Sequence, residues 1–335
     1  MSRNIYTRPE TVNANKKHEE VSGEGSRLIL IDKDLYINVF LISDGRLSEI
    51  KQFPKDTESG KIILSRVINV KKDIEAAFVK LTDTEEAFLK LSNVPKEYLP
   101  LKQGDLVPVK IISDKQKGKR ISVSALVGEK KLPEGFMHKS AFNVLYEPKN
   151  SLWDYIIKRF NIDRIEKILT ESKEIFEELS PFSDKISFYD DEKISLSMLY
   201  SLKSKLEEAK SPKVYLKSGA YLVINHTEAL TVIDVNSGKK ISSAKKDADE
   251  VSKAINDEAA KEVAFILKQR NISGMILVDF INMDSEAELE LLQKMEEYVS
   301  ADNVTVKVID ITPLGIMEIT RKKTDKPLSE LNIEL

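Results

Sequence analysis

A chain of 335 residues with 41% hydrophobic content and a formal net charge of −3 has room for two or three domains with substantial cores. It contains no cysteine, which excludes disulfides, thiolate nucleophiles and cysteine-based structural zinc together. No apolar run approaches the roughly 18 residues that span a bilayer, and the polar start from Met1 to Gly25 has no secretory pattern. A soluble, cytoplasmic protein without a membrane partner is therefore expected.

In chain order, residues 1–26 lack any apolar period and are expected to form a disordered tail. From Arg27 short β-rich runs follow one another: RLILI, LYINVFLI, KIILSRVINV, EAAFVKL, EEAFLKL, LVPVKIIS and RISVSAL. Such spacing predicts a small antiparallel barrel or sandwich. Between Lys102 and Lys131, eight basic residues meet only Asp105, Asp114 and Glu129, a local excess that the net charge conceals. After Asn150 the texture becomes α/β. SLWDYIIKRF and KEIFEEL read as helices, DRIEKILT and KISFYD as strands, and Leu199, Leu202, Leu206 and Ala209 share one helical face. Strands VYLKSG, AYLVIN and ALTVID follow, then a long helix carrying Val251, Ile255, Ala259, Val263 and Ile266. The strand GMILVDF, the helix SEAELELLQKMEEYV and the strand VTVKVIDI complete the pattern.

The three histidines, His18, His138 and His226, have no metal-ligand spacing, so any metal should be a hard ion held by oxygens. TVIDVN and MILVDFIN share one form, an apolar strand expected to be buried on both faces and ending in Asp. Ligands of open α/β sheets gather beyond the carboxyl ends of strands. Two such carboxylates, Asp234 and Asp279, could hold Mg²⁺, which takes one or two carboxylates plus waters and phosphate oxygens. Asn236, two residues on, shares a face with Asp234. Taken singly, either Asp is better explained as a strand stop than as a ligand, since D-V-N-S-G is turn-forming; two such ends in one sheet shift the weight toward the ligand reading.

KSGAYLVINHTEALTVIDVNSGK, NDEAAKEVAFILKQRNISGMILVDFINM and LGIMEITRKK, in that order, resemble the catalytic region of the ribonuclease E/G family of bacterial endoribonucleases. The resemblance implies that Asp234 and Asp279 are Mg²⁺ ligands (Mn²⁺ being an alternative), that Asn236 supports them, and that residues 212–325 form a DNase I-like catalytic subdomain. EAAFVKLTDTEEAFLKL is similar to the family's OB-fold RNA-binding domain, here 61–126, which assigns RNA contacts to Phe78, Phe88 and Lys119. From the residues alone, both rings are read as barrel core in preference to RNA contacts. LWDYIIKRFNIDRIEKIL resembles the family's RNase H-like subdomain, here 27–60 with 150–211. LPEGFMHKSAF corresponds to a shortened 5′-end sensor segment, 127–149, with Lys139 and Ser140 where the family has Arg and Thr. Residues 326–335 are set apart as a tail.

The fold class expected is thus α/β (α+β, multidomain), with an OB-fold barrel inserted in an RNase H-like subdomain and a DNase I-like subdomain following. Family members usually continue into a two-cysteine zinc link between protomers. This sequence ends at Leu335 without cysteine, so no zinc is expected, and a homodimer would rest on other contacts. The expected function is Mg²⁺-dependent endoribonuclease action on single-stranded RNA; for Arg321, Lys322 and Lys323, further phosphate contacts and plain surface solvation are equal readings. A non-catalytic RNA-binding or scaffold protein of the same fold is the alternative.

Overall fold

The continuous apolar runs RLILI and YINVFLI are explained by a sheet covered on both faces. In the computed structural model, which describes residues 25–113, 120–128, 132–148, 151–238 and 245–335, β1 (Ser26–Asp32), β2 (Tyr36–Ser43) and β3 (Arg46–Pro54) form an antiparallel meander. Side chains alternate along a strand, so Leu28 and Leu30 enter one core while Ile29 and Ile31 enter another.

The chain then leaves for residues 54–151, one of two compact units; the other joins the described residues before 54 to those after 151. In the smaller unit, β4 (Ile62–Lys71), β5 (Ala76–Lys80), β6 (Glu86–Lys90), β7 (Leu106–Ser113) and β8 (Ile121–Ser124) close on themselves in the order β4-β5-β6-β8-β7. Only the β6–β8 pair is parallel. Val67, Ala77, Val79, Leu89, Val109 and Ile111 fill the interior of this five-stranded barrel. A short β9 (Val144–Tyr146) adds to β4.

The larger unit resumes with α1 (Leu152–Arg159), β10 (Ile165–Thr170), α2 (Lys173–Leu179) and β11 (Ile186–Phe188). β10 pairs parallel with β1, and β11 parallel with β10, giving the order β11-β10-β1-β2-β3. α1 and α2 cover one face. α3 (Leu196–Leu199) and α4 (Leu202–Lys210) cover the other, with Leu328, Leu331, Ile333 and Leu335 from the last ten residues. The segment expected as a tail thus contributes to a core. It is also held by Asn38 and Gln52, whose amides donate to the carbonyls of Glu334 and Asn332 at 2.8 and 2.9 Å.

A second sheet of the same unit contains β12 (Lys213–Tyr215), β13 (Tyr221–His226), β14 (Leu230–Asn236), β15 (Gly274–Asp279), β16 (Val306–Ile311) and β17 (Ile316–Arg321) in the order β12-β13-β14-β15-β17-β16. Two helices, α5 (Lys245–Gln269) and α6 (Ser285–Val299), pack on one face through Ile255, Ala259, Val263, Leu291 and Met295. The expectation that β14 and β15 are buried on both faces is corrected here. β14 alternates between buried and half-buried residues, because among the described residues helices cover only one side of the sheet. No described helix is long and apolar enough to cross a membrane.

Candidate active site

The uncovered face of the second sheet carries the three residues singled out by the TVIDVN and MILVDFIN segments. Ile233 and Val235 enter the helix-packed core, so the intervening Asp234 and the following Asn236 face the other way. In the parallel β14–β15 ladder Ile233 pairs with Val278 and Asp234 with Asp279. Register partners project to the same face, about 4.8 Å apart between strands, so the two carboxylates are nearest neighbours across the sheet. The Asn236 amide Nδ2 donates to Asp234 Oδ2 at 2.8 Å, fixing that carboxylate without adding charge. Asp279 is exposed.

Described positions next to the pair are held by close contacts. Gly238 has φ +67°, and a Cβ there would lie 2.7 Å from the Gly219 carbonyl oxygen; only glycine accepts both the left-handed backbone and that approach. Glu258 on α5 accepts from the backbone N–H of Lys217 at 2.7 Å. Asn256, fully buried on α5, donates to the Ile281 carbonyl at 2.7 Å and accepts from the Ile281 N–H at 3.1 Å. It thereby anchors the chain two residues beyond Asp279. Sequence reasoning overlooked it, although an Asn beside the apolar stripe of Ile255, Ala259 and Val263 was the available signal.

The same face bears groups that the sequence did not single out. Across the ladder, Lys213 pairs with Val223 and Val223 with Asp234, while Tyr215 pairs with Tyr221 and Tyr221 with Asn236. The Tyr215 and Tyr221 rings lie 6.0 Å apart, with Lys213 Nζ 3.7 Å from the Tyr221 centroid. A cation and two aromatic rings therefore share rows with the acidic pair.

In the barrel, Phe78 and Phe88 are register partners on β5 and β6. Their neighbours Ala77, Val79, Ala87 and Leu89 fill the interior, so both rings are on the outer surface, half-buried, with centroids 5.9 Å apart. The barrel-core reading of these rings is excluded. Arg120 lies 4.9 Å over the Phe78 ring and pairs with Glu86 at 3.0 Å. Lys119 and most of the basic run around it lie outside the described residues. Lys139 and Ser140 are exposed. They precede Phe142 and Asn143, which exchange backbone hydrogen bonds with Leu64 of β4 at 2.7 and 2.9 Å.

Arg321 is corrected. It is 2% exposed; its Nε pairs with Asp302 at 2.7 Å, and one terminal nitrogen donates to Asn271 Oδ1 and the Ile272 carbonyl at 2.7 and 3.1 Å. All three guanidinium nitrogens donate inside the protein, and the buried group is held away from solvent and phosphate. Lys322 and Lys323 are exposed.

Two carboxylates, one exposed and one oriented by an amide, fit a hard divalent cation that keeps several waters. Among the described residues no group of three or more His, Cys, Asp or Glu could cage a metal, so the protein would supply only part of a coordination shell here.

Comparison with known proteins gives this geometry a context. The model of the ribonuclease E/G family matches residues 128–324, well over half of the chain. The chain belongs to the ribonuclease E/G family. Ribonuclease E of Synechocystis is 42% identical over 141 residues, 42% of this chain and 21% of that protein. Ribonuclease G of Haemophilus influenzae is 33% identical over 184 residues, 52% of this chain and 37% of its own length. A ribonuclease E/G-like protein of Porphyra purpurea is 31% identical over 212 residues, 58% of this chain and 41% of the relative. The chain thus spans about two fifths or less of the relatives it matches.

Proposed function

We propose that this ribonuclease E/G family member is an endoribonuclease that hydrolyses phosphodiester bonds in single-stranded RNA with Mg²⁺, or Mn²⁺ in its place. The observation that carries the reading is the register pairing of Asp234 with Asp279 on an uncovered sheet face, with Asn236 donating to Asp234. A pure binding protein gains nothing from two like charges facing a phosphate. Bound to these carboxylates, the metal would supply water activation and charge neutralisation at the phosphate. The protein's own residues orient and hold. Asn236 keeps Asp234 in one rotamer, Asn256 holds the chain beyond Asp279, and the outer-face pair Phe78 and Phe88, with Arg120 alongside, offers stacking surface and positive charge to a strand.

The oxygen-only donor pair favours a hard ion over zinc, and the chain has no cysteine for a zinc–thiolate link between copies. The order β11-β10-β1-β2-β3, with β10 and β11 parallel to β1, supports an RNase H-like reading of the first sheet. The closed five-stranded barrel supports the OB-fold reading, and Lys139 and Ser140 remain the residues assigned to 5′-end recognition. The second sheet with α5 and α6 is read as DNase I-like.

The test is incubation of the purified chain with a 5′-labelled AU-rich oligoribonucleotide, with and without Mg²⁺, alongside binding measurements. Asp234→Asn and Asp279→Asn should each lower cleavage by orders of magnitude while retaining RNA binding. Phe78→Ala should weaken binding by about 1–3 kcal/mol with little change in melting temperature, since the ring lies outside the barrel core. Cleavage near the parent rate by either aspartate variant rules out the assignment.

A further inference from the structure

Arg270 and Arg321 meet at the same turn, and the fold treats them oppositely. Arg321 donates to Asp302, Asn271 and the Ile272 carbonyl. Arg270, at the end of α5, is 6% exposed, and its Nε is buried without a partner; its guanidinium makes no hydrogen bond or ion pair among the described residues. Glu262, the acid whose field it feels, is already paired with Arg46 at 2.7 Å. Burial pulls the Arg270 guanidinium down to about 10, with Glu262 acting in the opposite direction, so the group stays cationic at neutral pH. A buried cation with no counterion costs several kcal/mol.

Arg270 lines a cavity of about 230 Å³. Its walls include Ile224, Ile272 and Leu328, and Lys210 and His226 stand at its exposed rim. The Leu328 N–H donates to the Arg270 carbonyl at 2.8 Å, so the C-terminal segment closes the cavity over the arginine. His226 binds Thr231 Oγ1 through Nδ1 at 3.0 Å, which leaves its Nε2 as the other ring nitrogen. The cavity lies at the far end of the second sheet from the acidic pair. Arg270 precedes β15 whereas Asp279 ends it, and Ile224 belongs to the helix-packed face whereas Asp234 is on the uncovered one.

The structure assigns to this cavity an oxyanion-binding site, with Arg270 as the counter-charge and Lys210 and His226 at its mouth, for a phosphate or carboxylate group on a small apolar body. A volume below the roughly 300–1,000 Å³ of drug-sized pockets limits the ligand to a small one. The two cationic groups, Arg270 and Lys210, and the apolar walls favour an amphipathic anion over a sugar or a cation. The site does not depend on the catalytic reading, because no residue of the acidic pair takes part in it.

Thermal melting of the full chain tests the assignment, with inorganic phosphate, butyrate or butylammonium added at constant ionic strength set by chloride. Phosphate or butyrate should raise the melting temperature saturably by a few degrees, while butylammonium should not. A larger response to butyrate assigns a carboxylate with an apolar body; a larger response to phosphate assigns the phosphate head. Arg270→Met, an apolar replacement of similar length, should abolish the response and, without anion, melt no lower than the parent. Lys210→Glu, an exposed change that brings an acid to the rim, should abolish the response in a folded protein even if Arg270→Met fails to fold. Absence of any shift beyond chloride, or an equal shift in a folded variant, overturns the site.

Discussion

Arg321 spends its donors on Asp302, Asn271 and the Ile272 carbonyl, whereas its neighbours Lys322 and Lys323 extend into solvent. Removing the guanidinium leaves the Asp302 side chain, 6% exposed, as an uncompensated buried charge. Arg321→Met should therefore cost about 3–5 kcal/mol, read as a lower urea midpoint, whereas Lys322→Met should stay within about 0.5 kcal/mol of the parent. Equal midpoints for the two variants would show that the ion pair does not hold the turn. R-K-K reads in the sequence as one basic patch because residue type says nothing of strand phase. The burial alternation of β17, with Met317, Ile319 and Arg321 all inward, is what separates them. Asp234 and Asn236 were legible as a pair for the same reason in reverse, since a spacing of two survives in any strand.

Between α5 and α6 a single carboxylate acts as a staple. Asp257 on α5 accepts from Tyr298 at 2.7 Å, and its oxygens lie 3.1 Å from Lys294 and 2.8 Å from Lys261. Desolvation alone would raise its pKa, but the hydrogen bonds from Lys261, Tyr298 and Lys294 outweigh it and hold the group down at about 2, from an ordinary 3.8. A depressed carboxylate contributes its full stabilisation above the unfolded value and loses it as pH falls through the folded one. Thermal melts should therefore show the parent losing stability more steeply than Asp257→Asn between about pH 4 and pH 2; parallel profiles would show that the staple carries no linkage. Helix α6 was legible to its boundaries, because Asp284 caps it by accepting from the Ala287 N–H at 2.8 Å just before the apolar period begins. β3, with its Arg, Glu, Lys and Gln, and the three-residue β9 were not, since neither carries an alternation strong enough to stand out. The expected single face from Leu199 to Ala209 is split at Ser201, whose φ of 50° ends one short helix before the next starts.

At the scale of the molecule, the larger unit is assembled from segments on both sides of the barrel in sequence. Leu328, 3% exposed, and the partly buried Leu331, Ile333 and Leu335 complete the core above the first sheet. A chain stopped after Lys326 should lose about 2 kcal/mol from Leu328 alone, seen as a lower melting temperature; unchanged melting would show that these residues only rest on the surface. The interrupted meander also orders events during synthesis. β1, β2 and β3 leave the ribosome before β10, yet the remaining edge of β1 pairs with β10, beginning with Ser26 against Ile165. The barrel, residues 54–151, emerges entire in the interval. A nascent chain of this protein therefore carries a bare apolar strand edge through the whole translation of the barrel, the kind of edge that recruits other strands. Slow codons or a chaperone binding site would be most consequential in that window.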